Sequence, residues 1–140
     1  MLERLLAPHA DRAYAILRVV AGFMFAFHGL QKVLGVLAEA PQRFGSQLWI
    51  GGLIELVCGL AVAVGLFTRF SAFLCSGTMA VAYVQYHWQG QLGKMFLPRF
   101  NEGELAALYA VVFLYIACRG PGPWSVQAVA ERRYRRLKGL

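Results

Sequence analysis

Charged residues are scarce in this chain. They make up 15% of its 140 residues, whereas soluble domains carry about 25%. Hydrophobic residues make up 59% of the sequence, compared with about 45–50% in soluble domains. This composition excludes an ordinary soluble domain and indicates that lipid surrounds much of the folded chain.

Cysteine is also scarce, and the three cysteines do not form a metal-binding pattern. Cys58, Cys75 and Cys118 all fall inside predicted helices, without Cys-x-x-Cys spacing. An odd number of cysteines without that spacing indicates neither a disulfide framework nor a zinc site. We therefore predict no metal site.

Long apolar runs are the most prominent feature that is present. A helix needs roughly 20 residues to cross about 30 Å of hydrocarbon, and no alternating pattern indicates barrel strands, the other structure that can span lipid. The sequence therefore predicts an all-α integral membrane four-helix bundle over residues 1–124. Its transmembrane helices are expected at about 13–31, 48–67, 70–88 and 102–119.

The distribution of Lys and Arg predicts the orientation of this bundle. Four spans place both termini on one side of the membrane, and basic residues concentrate in cytoplasmic flanks. The terminal side has nine basic residues and the opposite side has Lys32, Arg43, Lys94 and Arg99. Both termini are therefore predicted to be cytoplasmic. Arg18 lies inside the first run, and we expect it to snorkel to the nearby interface.

Residues 125–140 are predicted to form a basic cytoplasmic tail. The segment "RGPGPWS" (119–125) ends the fourth helix, since its glycines and prolines mark a turn. If the tail is helical, Val126, Val129, Tyr134 and Leu137 share one apolar stripe opposite the arginines. Such a helix suits the surface of a membrane that contains anionic lipid. We predict no nucleic-acid partner, because a basic run beside a membrane needs none.

Ionisable residues recur near one end of the four predicted helices. They are His28, Lys32, Glu55, His87 and Glu104. An ionised group in lipid costs about 2.5–3.5 kcal/mol, so such groups usually pair or line a cavity. Glu55 is the deepest of the set, and glycines four residues before and after it favour contact with another helix rather than lipid. The pattern predicts a shared polar cavity.

Structural interpretations of the same residues remain open. Asn101 and Glu104 have nearly the spacing of a capping box, which would only start the fourth helix. Lys32 also suits a headgroup anchor, and Glu55 suits a hydrogen bond between helices. The sequence does not separate these roles from a ligand site.

At these residues the chain resembles the DoxX family of small four-helix bacterial membrane proteins. The matching segments are "FHGLQKVLG", "GGLIELVCGLAVAVGLFTRFSA" and "NEGELAALYAVVFLYIACRGPGPWS". The family usually exits its last helix with Gly-Pro-Gly-x-x-Ser-Leu-Asp, whereas Val126 and Gln127 replace Leu-Asp here. The resemblance implies the bacterial inner membrane. Some relatives are described as small subunits of quinone-linked oxidoreductases, and others as parts of complexes that handle oxidative stress.

The leading functional hypothesis is a quinone-linked redox subunit that needs a protein partner to carry electrons. Glu55 and Glu104 are the candidate catalytic residues, as proton acceptors or donors. The family's polar pattern supplies the candidate cofactor-binding residues, which are His28, Gln31, Lys32, His87 and Asn101. One alternative is haem held between His28 and His87, since imidazole is a suitable axial ligand. Another is a non-enzymatic assembly or scaffold subunit of a membrane complex, in which the polar residues only order the helices. In each case we expect a protein partner subunit or a homo-oligomer.

Overall fold

The chain folds almost entirely into helices. The computed structural model describes residues 1–139, and no strand occurs among them. The predicted all-α class is therefore confirmed. The helices in chain order are α1 (Leu2–Leu6), α2 (Ala10–Leu34), α3 (Gln47–Val64), α4 (Thr68–Ala82), α5 (Glu104–Arg119) and α6 (Val126–Leu137).

The observed helices differ in length from the predicted ones. A 3-10 turn at Ala7–His9 joins α1 to α2, so the first helical stretch begins well before residue 13. Helix α3, which corresponds to the second predicted span, ends at Val64 because Gly65 adopts a left-handed conformation, with φ of 74°. Helix α4 has 15 residues and continues as a six-residue π-helix, Tyr83–Trp88. Two stretches, Leu2–Leu34 and Gln47–Val64, are long and apolar enough to cross a membrane.

Helices α2 and α3 are in backbone contact. A Cβ atom on Gly29 would lie 2.3 Å from the backbone nitrogen of Leu56, and one on Gly59 would lie 2.7 Å from that of Ala26. Both positions therefore require glycine, since small residues allow this close approach. The contact brings the last turns of α2 directly against the first half of α3.

Side chains from α2, α3, α4 and α5 share one hydrophobic core. Three rings form its centre: Phe25 lies 5.4 Å from Tyr109 and 4.7 Å from Phe113, measured between ring centroids. These ring contacts join α2 to α5 at the centre of the core.

The two ends of this core differ in character. We call the end where α2 and the π-helix finish the polar end, and the end from which α6 leaves the tail end. At the tail end, Arg18 is fully buried. Its Nη1 donates to the carbonyl oxygens of Val62 and Ala63, both at 2.6 Å, and its Nη2 donates to that of Trp124 at 2.9 Å.

The expectation that Arg18 snorkels to the interface is therefore wrong. Its guanidinium instead caps the carboxyl end of α3, where a positive charge complements the helix dipole. The same group holds the loop that leads to α6, so Arg18 joins two distant parts of the chain.

Helix α6 is attached to the α3–α4 turn by its first residues. The Ser125 hydroxyl accepts a hydrogen bond from the backbone nitrogen of Ala128 and caps α6. The Gln127 side-chain oxygen accepts from both the nitrogen and the hydroxyl of Thr68, each at 3.0 Å. Gln127, which replaces the acidic residue of the usual family exit, thus caps α4. The rest of α6 has no buried residue, and the last residue of the predicted tail, Leu140, lies outside the described residues.

Candidate functional site

Glu55 is a buried carboxylate, and one of its two oxygens has no hydrogen-bond partner among the described residues. The residue is 1% exposed and lies on the face of α3 that also buries Gly52 and Gly59. Its Oε1 accepts a hydrogen bond from Lys32 Nζ at 2.6 Å. Its Oε2 has no hydrogen-bond partner among the described residues. Nearly all buried polar atoms in proteins are hydrogen-bonded, so the free oxygen indicates a place for a hydrogen-bond donor.

Lys32 reaches Glu55 because the residue of α3 that its side chain crosses is a glycine, Gly52. A Cβ atom on Gly52 would lie 2.6 Å from the Cβ of Lys32, so any larger residue there would push the lysine away. The side chain of Lys32 is 33% exposed, whereas that of Glu55 is almost fully buried. The ion pair therefore joins a buried acid to a base that reaches the polar end.

A cavity of about 240 Å³ lies beside this ion pair. We call it the polar cavity. Its wall combines side chains from α2, α3, α4, the π-helix, the loop before α5, and α5. The lining residues are Phe25, His28, Lys32, Glu55, Met79, Ala82, His87, Glu102, Leu105, Ala106 and Tyr109. The structure thus brings together four of the predicted site residues: His28, Lys32, Glu55 and His87.

The hydrogen bond of His87 defines its available ring nitrogen. Its Nδ1 lies 3.1 Å from the backbone carbonyl oxygen of Asn101. A carbonyl oxygen only accepts, so Nδ1 carries a proton and Nε2 is the acceptor of the neutral imidazole. His28 has no hydrogen-bond partner among residues 1–139, and its ring lies edge-on to Tyr109 at 6.4 Å between centroids. Both imidazoles can therefore bind a donor in the cavity.

Asn101 supports the wall of the cavity rather than lining it. Its side-chain nitrogen donates to the hydroxyl of Tyr83 at 3.2 Å and to the carbonyl oxygen of Met95 at 3.0 Å. Its side-chain oxygen accepts from the nitrogen of Gly103 at 2.8 Å. Helix α5 has Gly103 as its N-cap residue, so the capping-box interpretation of Asn101 and Glu104 is wrong. Asn101 instead fixes the loop that carries Glu102.

Two other predicted site residues lie away from the polar cavity. Glu104 is exposed in the first turn of α5 and does not line the cavity, whereas Glu102 does. Glu102 has a left-handed backbone, with φ of 58°, and this turn directs it differently from Glu104. Gln31 is half-buried and does not line the cavity either. The Asn-Glu-Gly sequence at 101–103 is a turn signal that could have indicated Glu102.

A second cavity of about 340 Å³ lies between α3 and α4 and meets the polar cavity at the ion pair. We call it the α3–α4 groove. The two cavities share Lys32, Glu55, Met79 and Ala82. The remaining wall of the groove is mostly apolar and includes Ile50, Gly51, Ile54, Phe73, Gly77 and Val81. Glu55 therefore has an apolar space on one side and a polar space on the other.

No cluster of three or more potential metal ligands occurs in the part of the chain that the structure describes. The three cysteines are all free thiols there. The ionisable groups that line the polar cavity are carboxylate, ammonium, imidazole and the phenol of Tyr109.

Comparison with known proteins gives a family but no activity. A family model described as DoxX matches residues 13–88, the region that contains His28, Lys32, Glu55 and His87. An uncharacterized protein of Haemophilus influenzae is 40% identical over 112 residues, which cover 77% of this chain and 83% of that protein. An uncharacterized membrane protein of Mycobacterium tuberculosis is 26% identical over 147 residues, which cover 93% of this chain and 88% of that protein. No solved structure matches the chain.

Proposed function

The chain belongs to the DoxX family of membrane proteins, and on that basis we propose that it is the quinol-binding subunit of a larger membrane redox complex. The observation that supports this function is the state of Glu55. It is buried and paired with Lys32 through one oxygen, its other oxygen has no hydrogen-bond partner among the described residues, and the residue lines both an apolar groove and a polar cavity. A quinol has a polar ring that donates hydrogen bonds and an apolar tail, so it matches both spaces.

The proposal includes the position of the protein in the membrane. Helices α2 to α5 form a transmembrane four-helix bundle in the bacterial inner membrane, with both termini in the cytoplasm. The excess of Lys and Arg at the tail end supports this orientation. The six-residue π-helix supports a span by α4 because it lengthens that helix beyond its 15 residues. The polar cavity then opens in the outer leaflet.

The residues of the polar cavity bind the quinol ring and accept its protons. Glu55 Oε2 accepts a hydrogen bond from one ring hydroxyl, and His87 Nε2 is a second acceptor in the same cavity. A charged acceptor makes the stronger bond, which orients the ring on Glu55. Lys32 holds the other oxygen of the carboxylate at 2.6 Å and so fixes the direction of Oε2.

Protons leave the site through the same cavity. The cavity connects buried Glu55 with exposed Glu102, and His28 lines the space that they share. Carboxylate and imidazole groups can both accept and release protons, so this series of side chains can pass protons from Glu55 towards the exposed end of the cavity. A bound quinol would supply the electrons, and a redox group of a partner protein would receive them.

The variant Glu55→Gln tests this assignment because it should reverse the preference of the site for quinol over quinone. The Lys32 ammonium only donates hydrogen bonds, so it will hold the amide oxygen and leave the NH₂ group facing the cavity. That NH₂ group cannot accept the proton of a quinol hydroxyl, so the charge-assisted hydrogen bond from the hydroxyl to Oε2 is lost, whereas the NH₂ group can donate to a quinone carbonyl. We expect quinol affinity to fall about tenfold or more, the effect of losing a charged hydrogen bond. Quinone affinity should not fall.

The measurement is equilibrium binding of both redox forms to the purified protein in lipid nanodiscs. Glu39→Gln is the matched control, since Glu39 is exposed in the loop between α2 and α3. An equal loss of affinity for quinol and for quinone in Glu55→Gln would contradict the role of Oε2 as an acceptor. Failure of the parent protein to bind either form would contradict the whole proposal and leave the assembly-subunit alternative.

Haem is the second candidate ligand, because the imidazoles of His28 and His87 line one cavity. The absorption spectrum of protein purified from its own membrane tests it directly. A haem band that is lost in His28→Ala and His87→Ala would replace quinol with haem as the occupant. A spectrum without such a band, together with quinol binding, would remove haem from consideration.

A further inference from the structure

We infer that the α3–α4 groove is the opening through which the tail of the ligand passes between Glu55 and the lipid, so the ligand is a quinol with a long isoprenoid tail. This inference rests on the proposed function and adds the class of quinol and its route of entry. It begins from the observation that the groove and the polar cavity meet at Glu55.

The glycines of the groove leave space that no part of the protein fills. A Cβ atom on Gly51 or Gly77 would meet no other described atom within 4 Å beyond its own neighbours. Gly52 differs, because a Cβ there would lie 2.6 Å from the side chain of Lys32. Glycine inside a helix lowers stability relative to alanine, and contact between helices explains Gly52 but neither Gly51 nor Gly77. Both leave room on the walls of the groove for an apolar chain.

The two open glycines lie on opposite walls of the groove, with Gly51 on α3 and Gly77 on α4. Large apolar residues flank them, and Ile50, Phe73 and Val81 are each about half exposed or more. These side chains suit an isoprenoid chain, which gains free energy by contact with an apolar wall. The groove also reaches Glu55, whose Oε2 has no hydrogen-bond partner among the described residues.

A competing route lies between α2 and α5. A cavity of about 490 Å³ there is also apolar, and it shares Leu105 and Tyr109 with the polar cavity. However, neither Lys32 nor Glu55 lines it. A ligand whose ring donates to Glu55 therefore has a direct path to lipid through the α3–α4 groove.

Blocking the groove tests the inference. Gly77→Leu places a large side chain in the open space, and Gly77→Ala is the matched control that adds only a methyl group. In nanodiscs, Gly77→Leu should weaken binding of a long-tailed quinol about tenfold, since its side chain displaces several methylene groups of the tail. Binding of a tail-less quinol should be unchanged in both variants. Gly51→Leu should repeat the result from the opposite wall.

Leu108→Trp provides the comparison for the competing route, because Leu108 lines the cavity between α2 and α5. The inference is overturned if Leu108→Trp weakens long-tailed binding while Gly77→Leu and Gly51→Leu do not. It is also overturned if the groove variants weaken tailed and tail-less quinols equally. If the proposed function itself is wrong, the result is different: the parent protein binds neither the long-tailed nor the tail-less quinol.

Discussion

Replacement of Gly29 by alanine should separate α2 from α3 and disrupt the ion pair. The added Cβ would lie 2.3 Å from the nitrogen of Leu56 and 2.4 Å from the carbonyl oxygen of Gly52. Both atoms belong to the backbone of α3, so neither can move without moving the helix. Ordinary contact begins at 3.4 Å, so the helices must move apart by about 1 Å at this point.

Two opposing effects determine how much Gly29→Ala changes the free energy of unfolding. Overfilling a tight contact costs about 3 kcal/mol when the opposing atoms cannot rotate away. Alanine recovers about 1 kcal/mol relative to glycine inside a helix. We therefore expect Gly29→Ala to lower the free energy of unfolding by about 2 kcal/mol. The same substitution at Gly77 meets open space and should raise it by about 1 kcal/mol.

Reversible unfolding in mixed micelles, followed by circular dichroism, measures both variants under the same conditions. A shift of about 1 Å would also stretch the contact of 2.6 Å between Lys32 Nζ and Glu55 Oε1. Quinol binding should therefore fall in Gly29→Ala and stay intact in Gly77→Ala. A Gly29→Ala protein as stable as the parent would refute the backbone contact between α2 and α3.

Two further predictions concern buried charges. Lys32→Met should destabilise the protein by about 3 kcal/mol, because it leaves the Glu55 carboxylate buried without its ion pair. The double variant Lys32→Met/Glu55→Gln should recover most of this loss in the same unfolding assay. If the losses of stability in the two single variants simply add in the double variant, the pairing is contradicted. Arg18→Met should cost about 3 kcal/mol through the lost charged hydrogen bonds to the end of α3 and should free the tail, so that limited proteolysis cuts after Trp124 faster than in the parent. Arg18→Lys keeps the charge without the forked geometry, and equal cleavage in all three proteins would show that Arg18 does not hold the tail.

The burial of Glu55 could be predicted from the sequence because its neighbours along the helix determine its face. Gly59 lies one turn after it on α3, and a small residue at that spacing favours contact with another helix; Gly51, one turn before it, faces open space instead. The structure buries Glu55 and Gly59 on that face. The pairing with Lys32 could not be read in the same way, because it depends on the register of α2 against α3. That register is set by Gly29 and Gly52, whose backbone contacts appear only in the folded chain.

Arg18 shows why a residue inside an apolar run cannot be assigned from its own segment. Its partners are the carbonyl oxygens of Val62 and Ala63 in α3 and of Trp124 before α6. Every helix ends with carbonyl groups that lack partners within the helix, so an arginine can be buried wherever such an end lies nearby. The sequence supplies the arginine but not the position of the helix end.

Glu102 and Glu104 illustrate the same limit at the polar end. The two carboxylates are two residues apart, and only the backbone between them decides which one lines the polar cavity. The left-handed conformation of Glu102, with φ of 58°, and the hydrogen bond from Gly103 to Asn101 reverse the chain there. Asn101 is in turn held by Tyr83, on the π-helix that also carries His87. The position of the exposed acid therefore depends on the π-helix, so a change that returned Tyr83–Trp88 to α-helical geometry would move His87 and Glu102 together.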